Sequence, residues 1–215
     1  MKVGILGSGQ VGQTLAAGFA VNGHDVMVGT GHPSKPELKR WLRTTDGTVA
    51  VGTFADAAAH GDLLVLACAG AAAMDVIGAA GDGAFDGKVL IDVTNPLEFK
   101  GGEMPGLFVG LTDSLGERVQ RRLPRAKVVK ALNTMNASTM TRPEMRDGLP
   151  DVLVAGNDAA AKRTVARLLK EFGWSKPIDL GGIEAARWTE AWVPLWMRIA
   201  DDLGSWKVAL RILRE

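Results

Sequence analysis

Residues 4–12 read GILGSGQVG. Gly7, Gly9 and Gly12 make the spacing G-x-G-x-x-G. It falls between an apolar run, KVGIL (2–6), and a helical pattern, QVGQTLAAGFAVNG (10–23), closed by Gly23. Each glycine has a mechanical task in such a turn. Gly7 permits the tight reversal, Gly9 lets the backbone approach a pyrophosphate, and Gly12 lets the helix pack closely on the strand. The N–H groups from Ser8 to Val11 are expected to face phosphates at the helix N-terminus, where the dipole favours an anion. Gly7, Ser8, Gly9, Gln10, Val11 and Gly12 are therefore the first cofactor-binding candidates. A glycine-rich turn without a ligand is the alternative, and the flanking strand and helix weigh against it.

Outward from this turn the chain alternates short apolar runs with helical patterns, as a doubly wound α/β sheet does. DVMVG, TVAVG, DLLVLA, KVLIDV, AKVVKAL, DVLVAG and PIDLGG read as further strands. PELKRWLRT, FADAAAHG, DSLGERVQRRL and DAAAKRTVARLLKEFG read as helices. Residues 96–112, PLEFKGGEMPGLFVGLT, read as a loop at the carboxyl edge of the sheet, where ligands of such sheets bind. Residues 183–213 read as one long helical pattern, with a break expected near Pro194 or Gly204. The expected architecture is a Rossmann-type α/β fold, doubly wound and mostly parallel, over residues 1–182. A small helical C-terminal extension, 183–215, packs on the same domain.

The end of the second strand selects the dinucleotide. NAD enzymes place an acid there, about 20 residues beyond the glycines, on the ribose 2′-OH. Here DVMVGTGHPSK (25–35) has Thr30, Gly31 and His32 instead, and Asp25 stands at the wrong end of the strand. Thr30 and Ser34 can donate hydroxyl hydrogen bonds, and His32 and Lys35 can supply positive charge. These features favour NADP(H).

Composition excludes several classes. Of 215 residues 47% are hydrophobic and 23% charged, with a net charge of +1, so nothing points to nucleic acid. Arg118, Arg121, Arg122 and Arg125 read as a solvated helix face. Cys68 is the only cysteine, and His24, His32 and His60 show no metal-ligand spacing. The start MKVGILGSG reads as a strand, not a signal peptide, and LLVLACAGAAAM is too short to span a bilayer. A soluble cytoplasmic protein with no membrane partner is expected.

Four stretches in order carry a family resemblance: GILGSGQVGQTLAAGFAVNGHDVMVGT, DVTNPL (92–97), RAKVVKALNT (125–134) and DLGGIEAARWTE (179–190). Together they resemble the coenzyme F420-dependent NADP oxidoreductases, a family related to the cytoplasmic reductase domain of the Steap metalloreductases. The resemblance implies direct hydride transfer between NADP(H) and a deazaflavin stacked on the nicotinamide, with no catalytic side chain. It implies that Ser8, Gln10 and Val11 contact the pyrophosphate and Thr30 the 2′-phosphate. Cys68, Ala69 and Gly70 would line the adenosine side or the ribose. Asn95 and Pro96, with Asn133, Met135, Asn136 and Ala137, would sit near the nicotinamide. Gly31 departs from the family's usual arginine, and His32, Ser34 and Lys35 would have to replace that guanidinium. A flavin, a ferric chelate or a small carbonyl or imine compound is the alternative acceptor. A non-enzymatic NADP(H)-sensing protein is the other alternative.

Further candidates have plainer explanations beside them. Cys68 is a redox thiol or a small buried hydrophobe. Lys130 is a general acid or a snorkelling strand-end lysine. Asn133 and Asn136 hold a polar ligand group or shape a turn. Arg187 and Glu190, three apart on a helix, are expected to pair. Trp188, Trp192 and Trp196, followed by Trp206, read as core packing or as the interface of a homodimer, with a stacking platform for a ring cofactor as the third alternative.

Overall fold

The computed structural model describes residues 1–45 and 47–213. Residues 214 and 215, part of the expected C-terminal extension, lie outside the described residues. In chain order the elements begin β1 (Lys2–Leu6), α1 (Gln10–Val21), β2 (Asp25–Gly29), α2 (Pro36–Arg43), β3 (Val49–Gly52) and α3 (Phe54–His60). Then follow β4 (Leu63–Leu66), α4 (Ala73–Ala80), β5 (Val89–Asp92), β6 (Leu97–Glu98), β7 (Gly106–Leu107) and α5 (Leu115–Arg122). The chain ends through β8 (Lys127–Ala131), α6 (Ala137–Met140), β9 (Leu153–Ala155), α7 (Ala159–Glu171), β10 (Ile178–Asp179) and α8 (Ala186–Asp202).

Eight strands form one sheet in the order β3-β2-β1-β4-β5-β8-β9-β10. The pairings are parallel except for β8 with β9, which is antiparallel. The chain leaves β3 at one edge and re-enters the sheet at β4 beside β1. That reversal is the topological switch point at which such sheets bind ligands. Both faces are covered, so the strands read as continuous apolar runs. Val3 and Ile5 pack with Leu15 and Phe19 of α1 and with Val165 and Leu168 of α7 on one face. Leu6, Leu64 and Leu66 pack with Ala57 of α3, Ile77 of α4 and Val119 of α5 on the other.

Three details differ from the sequence reading. Residues 97–107 contain a small antiparallel hairpin, Leu97 opposite Leu107 and Glu98 opposite Gly106, where a loop was expected. Two-residue strands are too short to show an alternating pattern. The helix α4 escaped notice because its alanines continue the apolar run of β4 and blur the change of period. The C-terminal helix passes through Pro194 and stops at Asp202, beside the break expected near Gly204, which takes a left-handed φ of 60°. The tail beyond it folds back instead of continuing as helix. The Asp151 amide donates to the Leu210 carbonyl, and the Trp196 indole N–H donates to the Val208 carbonyl. Among the described residues no helix is long and apolar enough to cross a membrane, and no group of three or more His, Cys, Asp and Glu side chains could hold a metal ion.

Candidate nucleotide site

The glycine turn joins β1 to α1 at the switch point. Gly7 has φ 136° and donates its N–H to the Gly29 carbonyl at 3.0 Å. A Cβ on Gly7 would stand 2.3 Å from the Ala67 carbonyl oxygen, and one on Gly12 would stand 2.0 Å from that of Gly7. Both positions are therefore reserved by the protein's own backbone. Gly9 is different: a Cβ there meets no atom of the described residues within 4 Å. It is the N-cap of α1, and no side chain caps that end. The open space, the free N–H groups of the first turn and the helix dipole together make a cradle that fits a pyrophosphate. The Gln13 side-chain amide donates to the Ser8 carbonyl at 2.8 Å and braces the turn.

Thr30 follows β2 and is only 6% exposed. Its hydroxyl oxygen accepts from Ser8 Oγ at 3.0 Å and from the His32 amide at 3.3 Å. Its own hydroxyl proton is left to donate, which suits a phosphate oxygen. His32, Ser34 and Lys35 are exposed in the turn that leads to α2. Among the described residues a Cβ at Gly31 would meet only the Phe54 ring within 4 Å, at 3.9 Å, so the missing arginine leaves room rather than a filled site.

The far side of the cleft is built beyond β4 and β5. Gly9, Gln10 and Val11 face Cys68, Ala69 and Gly70, with Thr94 and Asn95 beside them, around a cavity of about 400 Å³. Gly70 is held close to Asn95, where a Cβ would lie 2.0 Å from the Asn95 carbonyl oxygen. A second cavity of about 520 Å³ adjoins it, lined by Met74, Phe108, Leu115 and Arg118. The two share Gly70, Ala71, Leu97 and Phe99. Phe99 is 71% exposed at their common border.

The β8 end reaches this wall through Asn133. Its side-chain amide donates to Asn95 Oδ1 at 2.9 Å, and Asn95 Nδ2 donates to the Asn133 carbonyl at 2.9 Å. The residue before it, Leu132, has a left-handed φ of 63°, a strained conformation for a branched side chain that the surrounding core holds in place. Pro96 is buried. Asn136 caps α6 through the Ser138 amide, Met135 belongs to the core, and Ala137 is buried. These last three do not line the cavity in this structure.

Two readings of single residues are corrected. Lys130 neither snorkels nor faces the cleft; it is 1% exposed and paired with both Asp92 and Glu190. Burial alone would drive its proton off, but the two carboxylates more than offset this and hold its pKa above the usual lysine range. Arg187 and Glu190 do not pair with each other. Arg187 forms a bidentate bridge to Glu117, at 2.8 and 2.6 Å, and Glu190 turns inward to Lys130. The arginine holds the Glu117 carboxyl below its ordinary pKa. The Cys68 thiol is pushed up to about 12 by burial first and by Asp92 second, so it is no ready nucleophile. The tryptophans divide: Trp196 is buried, whereas Trp188 is 63% and Trp206 50% exposed.

Sequence reading missed Asp92, Thr94 and Glu190 as a group, and Phe99 at the cavity border. Asp92 and Thr94 stand inside DVTNPL, but nothing local marks Lys130 and Glu190 as their partners.

The cleft has relatives. The family model described as NADP oxidoreductase, coenzyme F420-dependent, matches residues 2–96. The F420-dependent NADP reductase of Methanothermobacter thermautotrophicus is 31% identical over 209 residues, covering 93% of this chain and 89% of that protein. Metalloreductase STEAP3 of Rattus norvegicus is 30% identical over 210 residues; the match spans 96% of this chain but 38% of that protein. A crystal structure from Arthrobacter sp. FB24, of a protein proposed to be an F420-dependent NADP-reductase, superposes with a TM-score of 0.95 at 44% identity, over 100% of both chains. An imine reductase of Streptomyces aurantiacus, at 17% identity and a TM-score of 0.65, covers 93% of this chain and 61% of that one, and shares the fold alone.

Proposed function

The chain belongs to the family of coenzyme F420-dependent NADP oxidoreductases, and from that membership and the cleft we propose that it transfers a hydride between NADP(H) and the deazaflavin coenzyme F420. The observation that carries the reading is the cradle at Gly9, where the backbone leaves open the space a pyrophosphate needs. Ser8 and Thr30 would hold the 2′-phosphate, with His32, Ser34 and Lys35 around it. Cys68, Ala69, Gly70 and Asn95 would hold the nicotinamide half, and the largely apolar cavity under Phe99 would take the acceptor ring. When bound, NADPH would supply the hydride, two electrons with one proton, and the acceptor would take its further proton from solvent. The chain's own residues bind, orient and exclude water, so no catalytic side chain is assigned.

Absorbance tests this directly. The protein is mixed with NADPH and F420, a flavin or a ferric chelate, and loss of the nicotinamide band is followed. Turnover with F420 is expected. Turnover with a flavin or ferric chelate alone would replace the acceptor, a reading favoured by the likeness to the metalloreductase. Tight NADPH binding with no turnover would indicate a sensor. The same proposal places the protein in the cytoplasm as a homodimer. Exposed Trp188 and Leu195 on α8 support the dimer.

A further inference from the structure

Three charged side chains are enclosed beneath the far end of the cleft. Lys130 Nζ lies 3.0 Å from Asp92 Oδ2 and 2.8 Å from Glu190 Oε1, and it donates to the Thr94 carbonyl at 2.6 Å. Asp92 Oδ1 accepts from the Thr94 amide at 2.9 Å and the Thr94 hydroxyl at 2.6 Å. The amide, hydroxyl and carbonyl of Thr94 are thus all held by this set. Glu190, from α8, also accepts from the Leu115 amide at 2.8 Å and the Gly116 amide at 2.9 Å, at the start of α5.

Stability is a poor explanation for such a group. A buried ion pair seldom stabilises more than well-packed apolar side chains of similar volume, because desolvation offsets the attraction. Position is what the network does specify. Thr94 and Asn95 line the nucleotide cavity, and Leu115 lines the cavity beside it. The adenosine end belongs over β2, so the nicotinamide end lies toward β4, β5 and β8. Glu190 therefore touches the supports of both walls: through Lys130 the donor side, and through the α5 amides the acceptor side.

We propose that Glu190 is a positioning residue that sets the spacing between the nicotinamide wall at Thr94–Asn95 and the acceptor wall at Leu115. The C-terminal helix thereby holds two walls, built from separate strands and helices, in one register. This rests on the NADP(H) reading above. Hydride transfer is sensitive to such spacing, since a displacement of about 1 Å can cost about 100-fold in rate.

The test compares the wild type with Glu190→Gln, which keeps the side chain's size and removes its charge. NADPH oxidation by F420 is followed with ordinary NADPH and with NADPH deuterated at the transferred position. Binding of adenosine 2′,5′-bisphosphate, the adenosine half of the cofactor, is measured alongside. The variant is expected to bind the fragment as the wild type does, to lose roughly 10- to 100-fold in kcat, and to show a larger isotope effect. Unchanged kcat and isotope effect would overturn the proposal, as would parallel loss of fragment binding and rate. Wild-type protein that binds neither NADPH nor the fragment would instead sink the cofactor reading. A variant-free measurement covers misfolding or an inactive acceptor: in the wild type, NADPH should slow amide exchange at Leu115 and Gly116 and the fragment should not. Equal effects of the two ligands would also refute the proposed role.

Discussion

Thr30 and Gly31 are where the proposed cofactor preference is tested at the level of single residues. The Thr30 hydroxyl already accepts two hydrogen bonds, so its remaining capacity is to donate. Thr30→Asp would turn that donor into a negative charge. NADPH affinity should fall by about tenfold or more while NADH is spared, because a hydrogen bond to a charged group contributes about 1.5–3 kcal/mol. Parallel titrations of the two cofactors would measure it. Gly31→Arg runs the other way. Among the described residues the Phe54 ring alone comes within 4 Å of its Cβ, at 3.9 Å, so a guanidinium would have room there, and NADPH should bind about tenfold tighter. Cys68 makes a separate statement about pH. Its pKa of about 12 leaves almost no thiolate at pH 8, so alkylation followed by mass spectrometry should be slow there and quicken only in strong alkali. Thr30, Gly31 and Cys68 were each visible in the sequence. The hydrogen bond from Ser8 to Thr30 was not, since it spans 22 positions.

Among the elements, the turn from β1 into α1 was read almost completely, because its glycine spacing and its period change are local. The structure separates the tasks of its glycines. Gly12→Ala would push a methyl group against the Gly7 carbonyl, at 2.0 Å, and should cost about 1–3 kcal/mol, seen as a lower Tm. Gly9→Ala meets no atom of the described residues within 4 Å, so Tm should hold while NADPH binding is lost. Equal damage to stability at the two positions would contradict the cradle. The hairpin β6–β7 and the helix α4 were not legible, the first for shortness and the second because alanine suits both the run before it and the helix itself. The packing of α5 on α8 shows the same limit. Gly116 allows it, since a Cβ there would stand 2.9 Å from the Ala186 Cβ, yet the two residues are 70 positions apart.

For the whole molecule, the enclosed ionic group ties the last helix to the centre of the sheet. Lys130→Met would strand two carboxylates and should cost about 3–5 kcal/mol in urea unfolding. The raised Lys130 pKa means that this stabilisation is fully present below the ordinary lysine value, about 10.4, and is lost as pH rises through the folded value. The homodimer proposed above would use the outer face of α8, where Trp188 and Leu195 are both exposed. Trp188→Glu with Leu195→Glu should therefore convert a dimer to a monomer in sedimentation, with the fold kept, since both side chains are more than half exposed. The sequence by itself determined the alternating architecture, the glycine turn and the absence of an acid after β2. Each of these is written in residues a few positions apart, where hydrophobic period and turn chemistry act. Only the tertiary structure decided the partners of Lys130, Arg187 and Glu190 and the joining of the two cavities under Phe99. Those depend on which elements the sheet order brings together. Charges distant in sequence meet only where that packing sets them side by side.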